Sequence, residues 1–183
     1  MKLFKYEGFQ IKVEPEALLL KPFKAIWVRD KSHKKDKAMM ELGFIYFFAD
    51  PRSDYMYLVD DASRIKAIKE GEGFSDDWKI DSVLENAIKF YKSFLPMSAL
   101  LLEDTRIAVD KLRTLLRTID YTQTDDKNKP IYTLNTITAT IKQIPGLIEE
   151  LDKTEKALSQ ELVSSVKARG QGELTVLDEN VDI

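Results

Sequence analysis

The chain of 183 residues has no cysteine and one histidine, His33. The first absence excludes disulfides, thiolate metal sites and a cysteine nucleophile, and leaves the redox compartment open. One imidazole also excludes a histidine-built zinc site. A serine-type triad would have to use His33 as its base. No Gly-x-Ser-x-Gly elbow exists, however, and the lysines around His33 disfavour the imidazolium such a mechanism forms. The longest unbroken apolar run, residues 44–49, is far short of the ~20 needed to span a bilayer. The opening Met-Lys-Leu-Phe-Lys-Tyr-Glu lacks the apolar core of a signal peptide. A protein made and retained in the cytoplasm, without a membrane partner, is therefore expected. A net charge of −3 supplies no bulk basic field to draw the chain onto nucleic acid.

Hydrophobic residues make up 44% of the chain, enough for a real core, since a chain this long buries roughly 70% of its unfolded surface. Charged residues reach 32%, above the ~25% of an average soluble protein. That excess suits long helices facing solvent.

Helical spacing dominates. Residues 9–13 predict a short strand before Glu14-Pro15, and Pro22 fits the first turn of a helix through Ile26, Trp27 and Val28. From Lys37, the positions Ala38, Met39, Leu42, Ile45, Tyr46 and Ala49 keep helical steps. The aromatic run 44–48 would also suit a buried strand; helix is the reading adopted, ended by Asp50-Pro51. Asp60 or Asp61 caps a helix that stops at Gly71. Ser82-Val-Leu-Glu85 has the form of a capping box, followed by the seam Leu84, Ala87, Ile88, Tyr91 and Leu95. Pro96 permits a kink or a fresh start.

The next helix is predicted to turn Leu101, Ala108, Leu112, Leu115 and Ile119 to one side, with Asp110 and Arg113 paired outside. The polar stretch 121–130 is long enough to reverse the chain, so the flanking helices should form an antiparallel hairpin. In the last helix, Ile137, Ile141, Ile144, Ile148, Leu151, Leu158 and Leu162 define a seam. It continues past Pro145-Gly146, which favours one kinked helix. Glu155 and Ser165 interrupt the seam and argue against a long coiled coil. The seam is buried within its own hairpin or against other subunits.

Chemistry is sparse. Asp50, Asp54, Asp60, Asp61, Asp76, Asp77 and Asp81 leave a carboxylate magnesium or calcium site open in principle, but none follows the calcium-loop pattern. They read as caps and turn residues. Gly71-Glu-Gly73 lacks the third glycine of a phosphate cradle. Residues 29–37 carry five bases and two acids, which could give weak, salt-sensitive phosphate contacts, or simply a solvated linker. No catalytic residue, metal or cofactor is expected. Residues 171–183 hold four acids, no base and an alternating Leu174, Val176, Leu177 strip, suited to strand addition on a neighbour, to a groove on a partner, or to docking on its own domain.

Three stretches resemble small virion structural proteins of tailed, crAss-like bacteriophages: Gly43-Phe-Ile-Tyr-Phe-Phe-Ala-Asp-Pro-Arg-Ser-Asp-Tyr55, Leu102-Glu-Asp-Thr-Arg106 with Asp110-Lys-Leu112, and Lys129-Pro-Ile-Tyr132. The resemblance covers residues 40–165 and implies a non-enzymatic part of the particle. It is equally compatible with a neck or ring protein and with a capsid-associated or packaged one. It transfers no functional residues.

The expectations are therefore these. The fold is mainly α: a helical bundle with a long C-terminal helical hairpin and an extended C-terminal tail. Residues 1–81 form a mostly helical subdomain, 82–169 a helical hairpin or bundle, and 170–183 an acidic docking tail. The protein is a virion structural component, most simply of the head–tail connector or neck, assembled in the host cytoplasm. It oligomerises in the particle and contacts portal, ring or capsid subunits through Leu174, Val176, Leu177 and Ile183. A capsid-associated or packaged virion protein, or a nucleic-acid-associated phage protein using residues 29–37, is the alternative.

Overall fold

The computed structural model describes residues 3–7 and 10–167. It is mainly helical, with six α-helices and one two-stranded sheet among the described residues. The expected tail, 170–183, lies outside them. Two compact units divide the chain, Met1–Leu95 and Pro96–Ile183.

In the first unit, β1 (Phe4–Glu7) and β2 (Gln10–Val13) pair antiparallel, with Phe4 opposite Val13 and Tyr6 opposite Ile11. A 3-10 turn at Pro15–Leu19 leads into α1 (Lys21–Arg29). Pro22 sits in its first turn, where a missing N–H breaks no helical bond. The aromatic run is helical, in α2 (Asp36–Ala49). Every residue from 41 to 50 is buried, and a helix apolar on all sides belongs at the centre of its core. Phe44 stacks on Phe48 at 5.7 Å and leans on Trp78 at 4.8 Å. The helix stops where Asp50, ahead of Pro51, turns to ψ 129°, as pre-proline sterics require.

The Asp60 carboxylate caps α3 (Asp61–Gly71) by accepting the Ser63 N–H at 2.8 Å. A Cβ at Gly71 would lie 2.2 Å from the Tyr55 hydroxyl and would push that ring tip away from Glu72, to which it donates at 2.8 Å. In α4 (Ser82–Lys92) the expected capping box does not form. Asp81 is the cap, accepting the Leu84 N–H at 2.9 Å, and Ser82 is the first helical residue. A carboxylate is the stronger acceptor for a helix N-terminus, and Arg29 also binds it. Leu84, Ala87, Ile88 and Tyr91 join the core of the first unit. Its boundary therefore falls at Leu95 and Pro96, after α4, rather than at the expected 81.

In the second unit, α5 (Met97–Thr118) starts afresh with Pro96 as its cap residue. Helix α6 (Leu134–Lys167) runs unbroken through Pro145. The two pack antiparallel, since Ser98 donates to Glu161 while Arg106 pairs with Glu155. The connecting loop contains one bridge, Thr124 to Pro130, and turns at Asn128, φ 58°, a backbone state asparagine tolerates better than most residues.

Candidate functional site

On α6 the inward positions are Ile137, Ile144, Leu147, Leu151, Thr154, Leu158 and Leu162. Their steps of three, four and seven keep them on one face. Thr154 is accommodated because its hydroxyl donates to the Glu150 carbonyl at 2.8 Å. The sequence-based seam is corrected at two positions: Ile141 and Ile148 face outward, at 51% and 47% exposure. Glu155 does not interrupt the packing either; it reaches Arg106 on the neighbouring helix.

Helix α5 needs the same correction. Leu102 is buried, and Val109, Leu112, Leu116 and Ile119 are half-buried, whereas Leu101 and Leu115 are 50% and 41% exposed. Ala108 is exposed as well. Residues 101, 102, 115 and 116 are all leucine, and adjacent helical residues point about 100° apart. Composition cannot choose within such a pair; the facing helix does.

Between the helices lies an apolar groove of about 340 Å³, lined by Val109, Leu112, Leu116, Ile144, Leu147 and Ile148 with Arg113 and Arg117. Ile148 and both arginines are exposed, and the other five are half-buried. The size is at the low end for small-molecule sites, which also carry polar groups placed to orient a ligand. Among the described residues the only polar side chains lining it are two guanidiniums, which suits a strip of apolar side chains accompanied by carboxylates. The heptad spacing of 137, 144, 151 and 158, with 140, 147 and 154 between, is the signal that would have found Leu147.

The basic segment is partly consumed by the fold. Arg29 bonds Glu41 through Nε at 3.1 Å and Nη2 at 2.6 Å, and also pairs with Asp81. Lys35, at φ 58°, donates to the carbonyls of Trp27 and Asp30. Asp30 is buried; the N–H groups of Ala38 and Ser32 hold its carboxyl down at about 2. Lys31, His33, Lys34 and Lys37 stay exposed.

The loop aspartates are not brought together. Asp50 accepts from Arg52 Nε at 2.8 Å and Nη2 at 2.6 Å, and from the Tyr91 hydroxyl. Burial and then the Asp50 charge push the Tyr91 phenol up. Asp60 and Asp81 are caps. Among the described residues, no group of three His, Cys, Asp or Glu side chains is placed to hold a metal ion, and no helix is long and apolar enough to cross a membrane. Leu174, Val176, Leu177 and Ile183 lie outside the described residues. Compared with known proteins, the chain matches no family model, no curated protein and no solved structure.

Proposed function

We propose that the chain is a non-enzymatic structural protein of a tailed-phage virion, a head–tail connector or neck component that works through protein–protein contacts. In this reading the hairpin is the assembly part of a helical bundle. Residues 170–183 are its extended docking arm, with Leu174, Val176, Leu177 and Ile183 as the gripping side chains. Portal, ring or capsid subunits and further copies of the chain are the partners.

One observation carries the reading: a two-helix layer that leaves large apolar residues on its outside. Leu134, Ile141 and Ile148 recur every seven residues on α6 and are exposed, as are Leu101 and Leu115 on α5. Scattered apolar residues on a surface need no explanation, but rows at helical spacing beside an apolar groove mark an interaction surface. The nucleic-acid alternative loses two of its five bases, Arg29 and Lys35, to internal contacts.

Deletion of residues 171–183 tests the reading. The helical body should keep its circular dichroism melt, while incorporation into particles or binding to the partner ring should be lost. Normal folding with undiminished incorporation would refute the docking arm.

A further inference from the structure

Resting on that assembly reading, we propose that the groove between α5 and α6 seats the acidic, apolar segment 174–183 of a second copy of this chain. Three observations converge on this occupant.

The first is charge. The groove's polar lining is wholly cationic, Arg113 and Arg117. The segment 174–183 carries Asp178, Glu179 and Asp182 with no base, and Glu173 directly precedes it. Guanidinium–carboxylate pairs of this kind fix the direction and register of an incoming strand more than they add raw affinity.

The second is pattern. In an extended segment Leu174 and Val176 share one face, and Leu177, Val181 and Ile183 share the other. Val109, Leu112, Leu116, Ile144 and Leu147 offer a half-buried apolar floor with no uncharged polar side chain. An extended peptide presents alternate side chains to a surface of that kind.

The third is reach, and it favours the second copy. Leu174 is seven residues beyond Lys167 and extends at most about 25 Å from it. Leu147, in the groove, lies twenty residues before Lys167 on α6, about 30 Å away along the axis at 1.5 Å per residue. A chain therefore cannot lay Leu174 against its own Leu147, although Leu177 and the residues after it can reach that far; only a neighbour's segment can seat Leu174 there together with the rest. The resulting contact is heterologous: the tail of one copy enters the groove of the next. Repetition of such a contact closes into a ring when the rotation allows. In a ring, effective concentration turns a weak single contact into a firm one.

The test is complementation between two full-length variants, read by sedimentation across the micromolar range. Ile148→Glu places a charge in the groove at an exposed position. Leu174→Asp with Leu177→Asp spoils the segment and leaves the groove intact. Circular dichroism melts verify that both variants fold. Wild type should gain mass with concentration, and each variant alone should lose that gain. An equimolar mixture should recover it but stop at one-to-one complexes, because only one intact groove and one intact tail remain. Arg113→Glu with Arg117→Glu, both exposed, should weaken wild-type association about tenfold, near 1.4 kcal/mol. A wild type that stays monomeric throughout would overturn the proposal. So would a mixture that fails to recover association. If Ile148→Glu associates like wild type while the tail variant does not, the groove is the wrong seat, although the docking arm survives. Undiminished incorporation of the 171–183 deletion would instead remove the reading on which the proposal rests.

Discussion

Arg64 donates from Nη1 to the main-chain carbonyl of Phe48 at 3.2 Å, although its side chain is among the largest that are fully buried. Its Nε donates to the Leu58 carbonyl at 2.9 Å, and the guanidinium lies over the Phe48 ring at 5.4 Å. A cation from α3 thereby satisfies a carbonyl at the C-terminal end of α2, where the helix dipole favours positive charge. Arg64→Ala would leave two carbonyls short of a donor and a cavity beside Phe48. A loss of about 3 kcal/mol is expected, seen as a lower melting temperature; an unchanged melt would show that the contact adds nothing.

The two faces of α6 should respond oppositely to charge. Leu158 is buried against α5, so Leu158→Asp forces an unpaired carboxylate into the hairpin and should cost about 3 kcal/mol or more. Leu151→Asp, at a half-buried position, should be destabilising in the same direction. Ile141→Asp, on the exposed row, should melt like wild type. Equal melts for Leu158→Asp and Ile141→Asp would show that the inner seam does not hold the hairpin.

Acid should weaken the first unit in a defined window. Asp30 has a folded value of about 2 against an ordinary 3.8. Asp60 is also lowered, chiefly by the Ser63 N–H. At Asp81 burial raises the carboxyl, but the Leu84 N–H and Arg29 outweigh it, for a net lowering. A depressed carboxylate stabilises the fold fully above its unfolded value, and that contribution disappears as pH falls through the folded value. Melting temperature should therefore fall between about pH 4 and pH 2, and Asp30→Asn should flatten that fall. A slope unchanged by the substitution would assign it to other groups.

Millimolar Mg²⁺ or Ca²⁺ should leave the melt unchanged, and no hydrolase or transferase turnover is expected. A specific ligand would raise the melting temperature by mass action. Asp50 is already engaged by Arg52 and Tyr91. A saturable rise that Asp50→Asn with Asp54→Asn abolishes would overturn the structural reading.

Much of the local architecture was legible before the fold. Pro22, Asp50-Pro51, Asp60 and Gly71 mark real helix boundaries, because caps and proline sterics act within a few residues of chain. Ser82 misled, since it satisfies the capping-box pattern while the preceding Asp81, a competing acceptor, takes the role. The groove was not legible as a site. Five of its lining residues come from α5 and three from α6, and no motif in either helix announces the other.

By itself the sequence determined the helical character, the lack of any thiol, and where several of the helices begin and end. These follow from residue identity and short-range sterics. Tertiary structure alone decided which of several apolar stripes faces inward: Leu102 over Leu101, Leu116 over Leu115, Leu147 over Ile148. It also decided that Arg64 and Asp50 are buried with partners, and that Arg29 and Lys35 turn to internal carboxylates and carbonyls. The reason is common to all of these. Helical period permits more than one apolar face, and a charged side chain can be buried only where another segment of chain supplies its partner.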